Sequence, residues 1–220
     1  VWSGQAPICF PICGGLRDGR AMTMGGREVK LARHGFARKQ EWKLEEQSDN
    51  MVALSLSSAD HAELLEQYPY PFKIVARYTI DSEKVAVSYE VTNEGTEDMP
   101  FFVGGHPGFK CPLDEGESYD DYELRFDQRE AAELCTAVPS TGLIDVEHRS
   151  KNPMIGHDLP LTHELFDFAE TIFDVLESRV VTLTNKTEDK GVRLTFPDMP
   201  YLIVWSKPEG DFVAVEPWGG

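Results

Sequence analysis

Between residues 72 and 91 the chain alternates in character. "FKIVARYTI" (72–80) places Phe72, Ile74, Ala76, Tyr78 and Ile80 on one side and Lys73, Val75, Arg77 and Thr79 on the other. "KVAVSYEV" (84–91) does the same with Val85, Val87, Tyr89 and Val91. A period of two is that of a strand with one face covered, and "DSE" between the runs has hairpin length. The last third adds "SRVVTLTN" (178–185), "GVRLTF" (191–196), "YLIVWS" (201–206) and "DFVAVEPW" (211–218). Short strands separated by turns predict an all-β sandwich or barrel. Helical patterns are few. "SADHAELLEQY" (58–68), with a capping Ser or Asp ahead of Ala62, Leu64 and Leu65, predicts one short helix, and "LTHELFDFAE" (161–170) a second. No repeat or linker-like segment interrupts the chain, which reads as one domain over residues 1–220.

Composition narrows the function. The 41% hydrophobic content is enough for a core, and the net charge of −17 opposes binding to nucleic acid. The charge favours a neutral or cationic ligand. No apolar run approaches the roughly 18 residues that a membrane helix needs, and no signal peptide is visible, so no membrane partner is expected. The four cysteines, Cys9, Cys13, Cys111 and Cys135, include no C-x-x-C pair. Cys9 and Cys13, four apart, share a face if both lie on a strand, which predicts two core thiols in a reducing cytoplasm. The chain starts at "VWSGQ" without Met and stops at "EPWGG", as if cut inside ordered structure.

Three residues stand out as candidate chemistry. His34 in "ARHGFAR" and His106 in "GGHPGF" each sit where a strand-like run becomes a loop. Glycine there permits close approach of the backbone, and Pro107 fixes it. Glu216 follows the apolar run "DFVAV", where a carboxylate is costly unless paired or set in a pocket. Partial burial would make it a better base. Trp218 beside it offers a flat face suited to the C–H faces of a sugar. His61, His148, His157 and His163 read as surface or capping residues. The i, i+4 histidine pair of a helical metal site is absent, so neither metal nor cofactor is expected.

With these residues in place, the chain resembles the aldose 1-epimerase (galactose mutarotase-like) family in its small bacterial branch. The likeness runs through "APICFPICGGLRDG" (6–19), "LARHGFARKQEW" (31–42), "YPYPFKIVARYTI" (68–80), "VSYEVTNEG" (87–95), "MPFFVGGHPGFKCPL" (99–113), "SRVVTLTN" and "EPWGG" (216–220). "HGFAR", "GGHPGF" and "EPW" in that order are specific together. The resemblance implies a galactose mutarotase-like β-sandwich acting on a small-molecule sugar, as a monomer or homodimer. It implies His106 as general acid, Glu216 as general base and His34 as the histidine that orients the sugar. It also implies sugar contacts by Arg17, Arg38, Phe109 and Trp218, and by an acidic residue, Glu170 or Asp174. Further strands are implied before "VWSGQ" and after "EPWGG". Other readings are a hexose-phosphate mutarotase, with Arg17, Arg20, Arg33 and Arg38 as candidates for the phosphate, and a non-catalytic sugar-binding module.

Overall fold

The computed structural model describes residues 7–188 and 190–219. The first and last residues of the matched motifs, Ala6 and Gly220, lie outside the described residues. Strands dominate, as the alternating pattern predicts, and every described helix is a short 3-10 turn. The two predicted helices shrink accordingly. The first is Ala62–Glu66, entered through His61 with no side-chain cap, and the second is His163–Phe166. Only Leu64 of the first and Phe166 of the second are buried. One anchoring residue does not sustain several helical turns. The backbone divides into two compact units, although no change in composition marks the division. One covers Cys9–Val103; the other runs from Gly104 onward and includes Ile8.

The Cys9–Val103 unit is built on an antiparallel meander of Lys43–Ser48, Met51–Ser57, Phe72–Asp81 and Lys84–Asn93. Phe72, Ile74 and Ala76 alternate inward as the sequence requires, and Leu56 opposite Ile74 is also buried. Phe72 joins Phe10, Phe36 and Tyr68 in an aromatic cluster with ring centroids 5.1–6.4 Å apart. Such pairs add to the hydrophobic gain from burial. The alternation of Lys84–Asn93 does not convert into a buried face. Val85 and Val87 are 67% and 45% exposed, because this edge strand and its partner end at Ile80 extend beyond the core. "HGF" supplies a tight turn. His34 and Gly35 both have left-handed backbone, φ 65° and 70°. The Phe10 carbonyl accepts hydrogen bonds from the N–H groups of Phe36 and Ala37 at 3.1 and 3.2 Å. A Cβ on Gly35 would stand 2.1 Å from that same carbonyl oxygen.

The Gly104-onward unit is a sandwich of two sheets. In the first, Phe212–Gly219 pairs with Tyr201–Trp205 on one side and with Val103–Gly105 and Gly108–Lys110 on the other. Tyr201–Trp205 pairs in turn with Thr171–Phe173. The second sheet orders Asp158–Pro160, Tyr122–Phe126, Val180–Asn185 and Gly191–Thr195. Their facing sides meet in one core containing Tyr122, Leu124, Leu183, Phe173, Val204 and Val215. A Leu134–Val138/Leu143–Ser150 hairpin adds Cys135, which packs with Ile172 and Ile203 on the other side of the first sheet.

Three substitutions test this account by chemical denaturation. Phe72→Ala is expected to destabilise the protein by about 3–5 kcal/mol, the usual cost of removing a fully buried aromatic side chain. Gly35→Ala should exceed the roughly 1–2 kcal/mol cost of left-handed backbone, because the Phe10 carbonyl must also move. Gly26→Ala, at φ 76° with open space around it, should show the backbone cost alone.

Candidate active site

Residues directly opposite in an antiparallel pair share a face of the sheet. Glu216 opposes Ile203, and Ile203 opposes Ile172. Trp205 and Tyr201, two residues either side of Ile203, oppose Ala214 and Trp218. One face therefore carries Tyr201, Ile203, Trp205, Glu216 and Trp218. The other carries Val204, Val213 and Val215 into the core. The sequence suggested a carboxylate at the end of a strand. The strand in fact continues to Gly219, and Glu216 lies inside it, 2% exposed.

A buried carboxylate requires a partner, and His106 supplies one. His106 and Pro107 form the two-residue step between Val103–Gly105 and Gly108–Lys110. The N–H of Val215 donates to the Pro107 carbonyl at 3.1 Å, which fixes that step beside residue 216. His106 Nε2 then stands 3.2 Å from Glu216 Oε1, with the histidine 8% exposed. Gly104, Gly105 and Gly108 are themselves strand residues and are not among the left-handed positions. Left-handed backbone occurs instead at "HG" of "HGFAR".

Aromatic rings frame the pair. Trp205 meets His106 edge-to-face, with centroids 6.2 Å apart and planes at 87°, and is braced by Phe212 at 5.6 Å. Trp218 is half-buried against the Cys135, Ile172 and Ile203 cluster. Trp205 was missed in the sequence. It ends an apolar strand just as Trp218 nearly does, and the same reasoning would have found it. Phe109 is placed differently from the sequence expectation. It opposes Val213 and packs on the core, so it lies on the opposite face from Glu216. Glu170 is half-buried directly before Thr171–Phe173. Asp174, the alternative acidic residue, is held by Arg149, whose Nη1 donates to Oδ1 at 3.0 Å and whose Nη2 donates to Oδ2. That guanidinium keeps the Asp174 carboxyl below the ordinary carboxylate range.

His34, Arg17 and Arg38 belong to the Cys9–Val103 unit. His34 is buried. The Gly14 N–H donates to its Nδ1 at 3.2 Å, and Arg33 Nε donates to its Nε2 at 3.3 Å. Cys9 Sγ lies 3.5 Å from the same Nδ1. Arg17 and Arg38 are exposed, each on a 3-10 turn. Cys9 is buried as expected, but the strand ends there, and Cys13 lies half-buried on the bend beyond it. Among the other histidines, His148 is exposed beside Asp145, and His61 contacts Glu63 and the Glu41 carbonyl. His163 stacks on Tyr119 at 4.2 Å and packs rather than caps. No described helix is long and apolar enough to cross a membrane.

Comparison with known proteins identifies the family and the fold. The family description "aldose 1-epimerase" matches residues 3–220. The chain is 41% identical over 225 residues to Protein LacX (plasmid) of Lactococcus lactis subsp. lactis, covering all of this chain and 75% of that protein. Among solved structures, a galactose mutarotase-like protein from Lactobacillus casei ATCC 334 superimposes with TM-score 0.82 at 31% identity, over 100% of this chain and 77% of that one. A galactose mutarotase related enzyme from Lactobacillus acidophilus gives TM-score 0.82 at 27% identity, over 97% and 70%. The fold is therefore the galactose mutarotase-like β-sandwich, and the chain belongs to the aldose 1-epimerase family.

Proposed function

We propose that the protein interconverts the α and β anomers of a hexose, with His106 as general acid and Glu216 as general base. The observation that carries this reading is the buried contact between His106 Nε2 and Glu216 Oε1 on a sheet face lined by Trp205 and Trp218. Mutarotation needs a base at the C1 hydroxyl and an acid at the ring oxygen. Starting from imidazolium and carboxylate, Glu216 takes the C1 hydroxyl proton while His106 gives its proton to O5. The C1–O5 bond breaks and an open-chain aldehyde forms. Rotation about C1–C2 presents the other face of the carbonyl. Glu216 then returns its proton to the carbonyl oxygen as O5 attacks C1, and His106 recovers the proton from O5. The cycle leaves both residues as they began, so no external proton donor is consumed.

The remaining roles follow the resemblance. Glu170 and Trp218 are assigned to the sugar, the latter through its flat apolar face. Trp205 joins them because its ring shares the face of Glu216 and abuts His106. His34 is assigned to orienting the substrate, with Arg17 and Arg38 to its hydroxyls. Phe109, turned toward the core, is left out of the assignment.

Polarimetry or proton NMR exchange with fresh α-D-glucose and α-D-galactose tests the reading. Glu216→Gln and His106→Ala should each lower kcat by about 10²–10⁴-fold, the usual contribution of a general acid or base. Wild-type turnover in either variant would remove that residue from the mechanism. No acceleration by the unaltered protein on any aldose would overturn the activity itself. His34→Ala should raise KM as well as lower kcat, and unchanged kinetics would make His34 structural.

A further inference from the structure

We propose that the protein forms a homodimer in which Lys84–Asn93 pairs antiparallel with the same strand of a second copy, about a two-fold axis at Val87. The four-strand meander has two edges, and they differ. Lys43–Ser48 is interrupted by a register shift between Leu44 and Glu46 and carries Lys43, Glu45 and Glu46. Bulges and charges are the usual means of keeping an edge strand from further pairing. Lys84–Asn93 has 10 residues, no proline and no register shift against Phe72–Asp81. Among the described residues no strand pairs with its outer side. Val85 and Val87 are the exposed valines noted above, and Ile80 beside them is 55% exposed. This end of the sheet therefore presents apolar side chains together with open backbone positions.

The direction of those backbone groups follows from the ladder. The Ile80 N–H donates to the Asn50 carbonyl at 2.8 Å, and Asn50 Nδ2 donates to the Ile80 carbonyl at 3.3 Å. Both Ile80 groups thus face away from Val85, its partner in the pair. Hydrogen-bonded and non-hydrogen-bonded pairs alternate along an antiparallel ladder. Even-numbered residues from Lys84 to Thr92 therefore bond to Phe72–Asp81, while Val85, Val87, Tyr89 and Val91 direct their N–H and C=O groups to the free edge.

With the axis at Val87, that residue exchanges both bonds with its own copy, and Val85 exchanges bonds with Tyr89 of the second copy. Opposite residues share a face. One face of the seam joins Val85, Val87 and Tyr89 into an apolar row. The other sets Lys84 of each copy opposite Glu90 of the other, and Ala86 opposite Ser88. Lys84 and Glu90 fall at non-hydrogen-bonded positions, where side chains approach closest. Elsewhere in this sheet Lys73 pairs with Glu45 and Arg77 with Glu46, whereas Lys84 and Glu90 have no ion pair among the described residues. The charges select the register. Moving the axis to Ala86 or Ser88 sets Lys84 opposite Ser88 or Thr92 and loses both ion pairs. Such an interface is isologous, so pairing uses up this edge and stops at two copies.

Sedimentation velocity over a concentration series tests the proposal. The unaltered protein is expected to pass from monomer to dimer as concentration rises through the micromolar range. Lys84→Glu or Glu90→Lys alone should raise the dimer Kd by about tenfold, because each sets like charges opposite one another twice. The two exchanges combined should return Kd to within about threefold of the unaltered value. Val87→Pro removes an edge N–H that serves no bond within the chain, and it should leave a monomer with unchanged far-ultraviolet circular dichroism. The charge variants lie at exposed positions and keep the test independent of any misfolding caused by that proline. A monomer throughout the range, species larger than a dimer, or a dimer that survives Val87→Pro overturns the proposal. So do single charge reversals that leave Kd unchanged, or a double exchange that fails to restore it. The readout does not depend on the sugar chemistry.

Discussion

A carboxylate in the interior of a central strand constrains everything around it. Glu216 has a backbone neighbour on each side of its strand, Ile203 being the partner on one of them, and its side chain is almost wholly withdrawn from water. An uncompensated charge there would cost several kcal/mol. The contact with His106 makes the position tolerable. That contact exists because the Val215 N–H to Pro107 carbonyl bond fixes the step at residues 106–107. The alternation of the strand does the rest. Val213 and Val215 anchor one face in the sandwich core, which rigidly sets the direction of Glu216 on the other. Stability and candidate chemistry therefore sit on opposite faces of one strand.

The Cys9–Val103 unit solves a similar problem by other means. The ring of the buried His34 meets a backbone N–H, an arginine side chain and a thiol. The turn that holds it in place uses two consecutive left-handed residues, the second of them glycine because the Phe10 carbonyl leaves no room for a side chain. The aromatic cluster of Phe10, Phe36, Tyr68 and Phe72 fixes the carbonyl in turn. The motif "HGFAR" is thus a structural device as much as a chemical one.

Much of this was legible in the chain. The strands at 72–81 and 84–93 follow from period-two alternation, and those at 180–185, 191–195, 201–205 and 212–219 from short strand-like runs separated by turns, signals that depend only on neighbouring residues. The distinctiveness of His34, His106 and Glu216 came from a polar residue beside apolar runs and backbone-shaping glycine or proline. Propensity over-extended the two helices, because tertiary packing anchors only one residue in each. It also credited Lys84–Asn93 with a buried face that the edge position does not provide.

The sequence by itself determined the strand-rich class, the candidate residues and the family likeness, since these are local patterns or ordered motifs. Only the tertiary structure decided which residues meet. His106 and Glu216 are 110 positions apart, and their contact is set by the register of one strand against a two-residue step. The face of Phe109, the place of Trp205 beside His106 and the link from Cys9 to His34 are likewise matters of pairing and register. A period-two pattern says that faces alternate. It does not say which face is turned to the core, because that depends on what the rest of the chain packs against it.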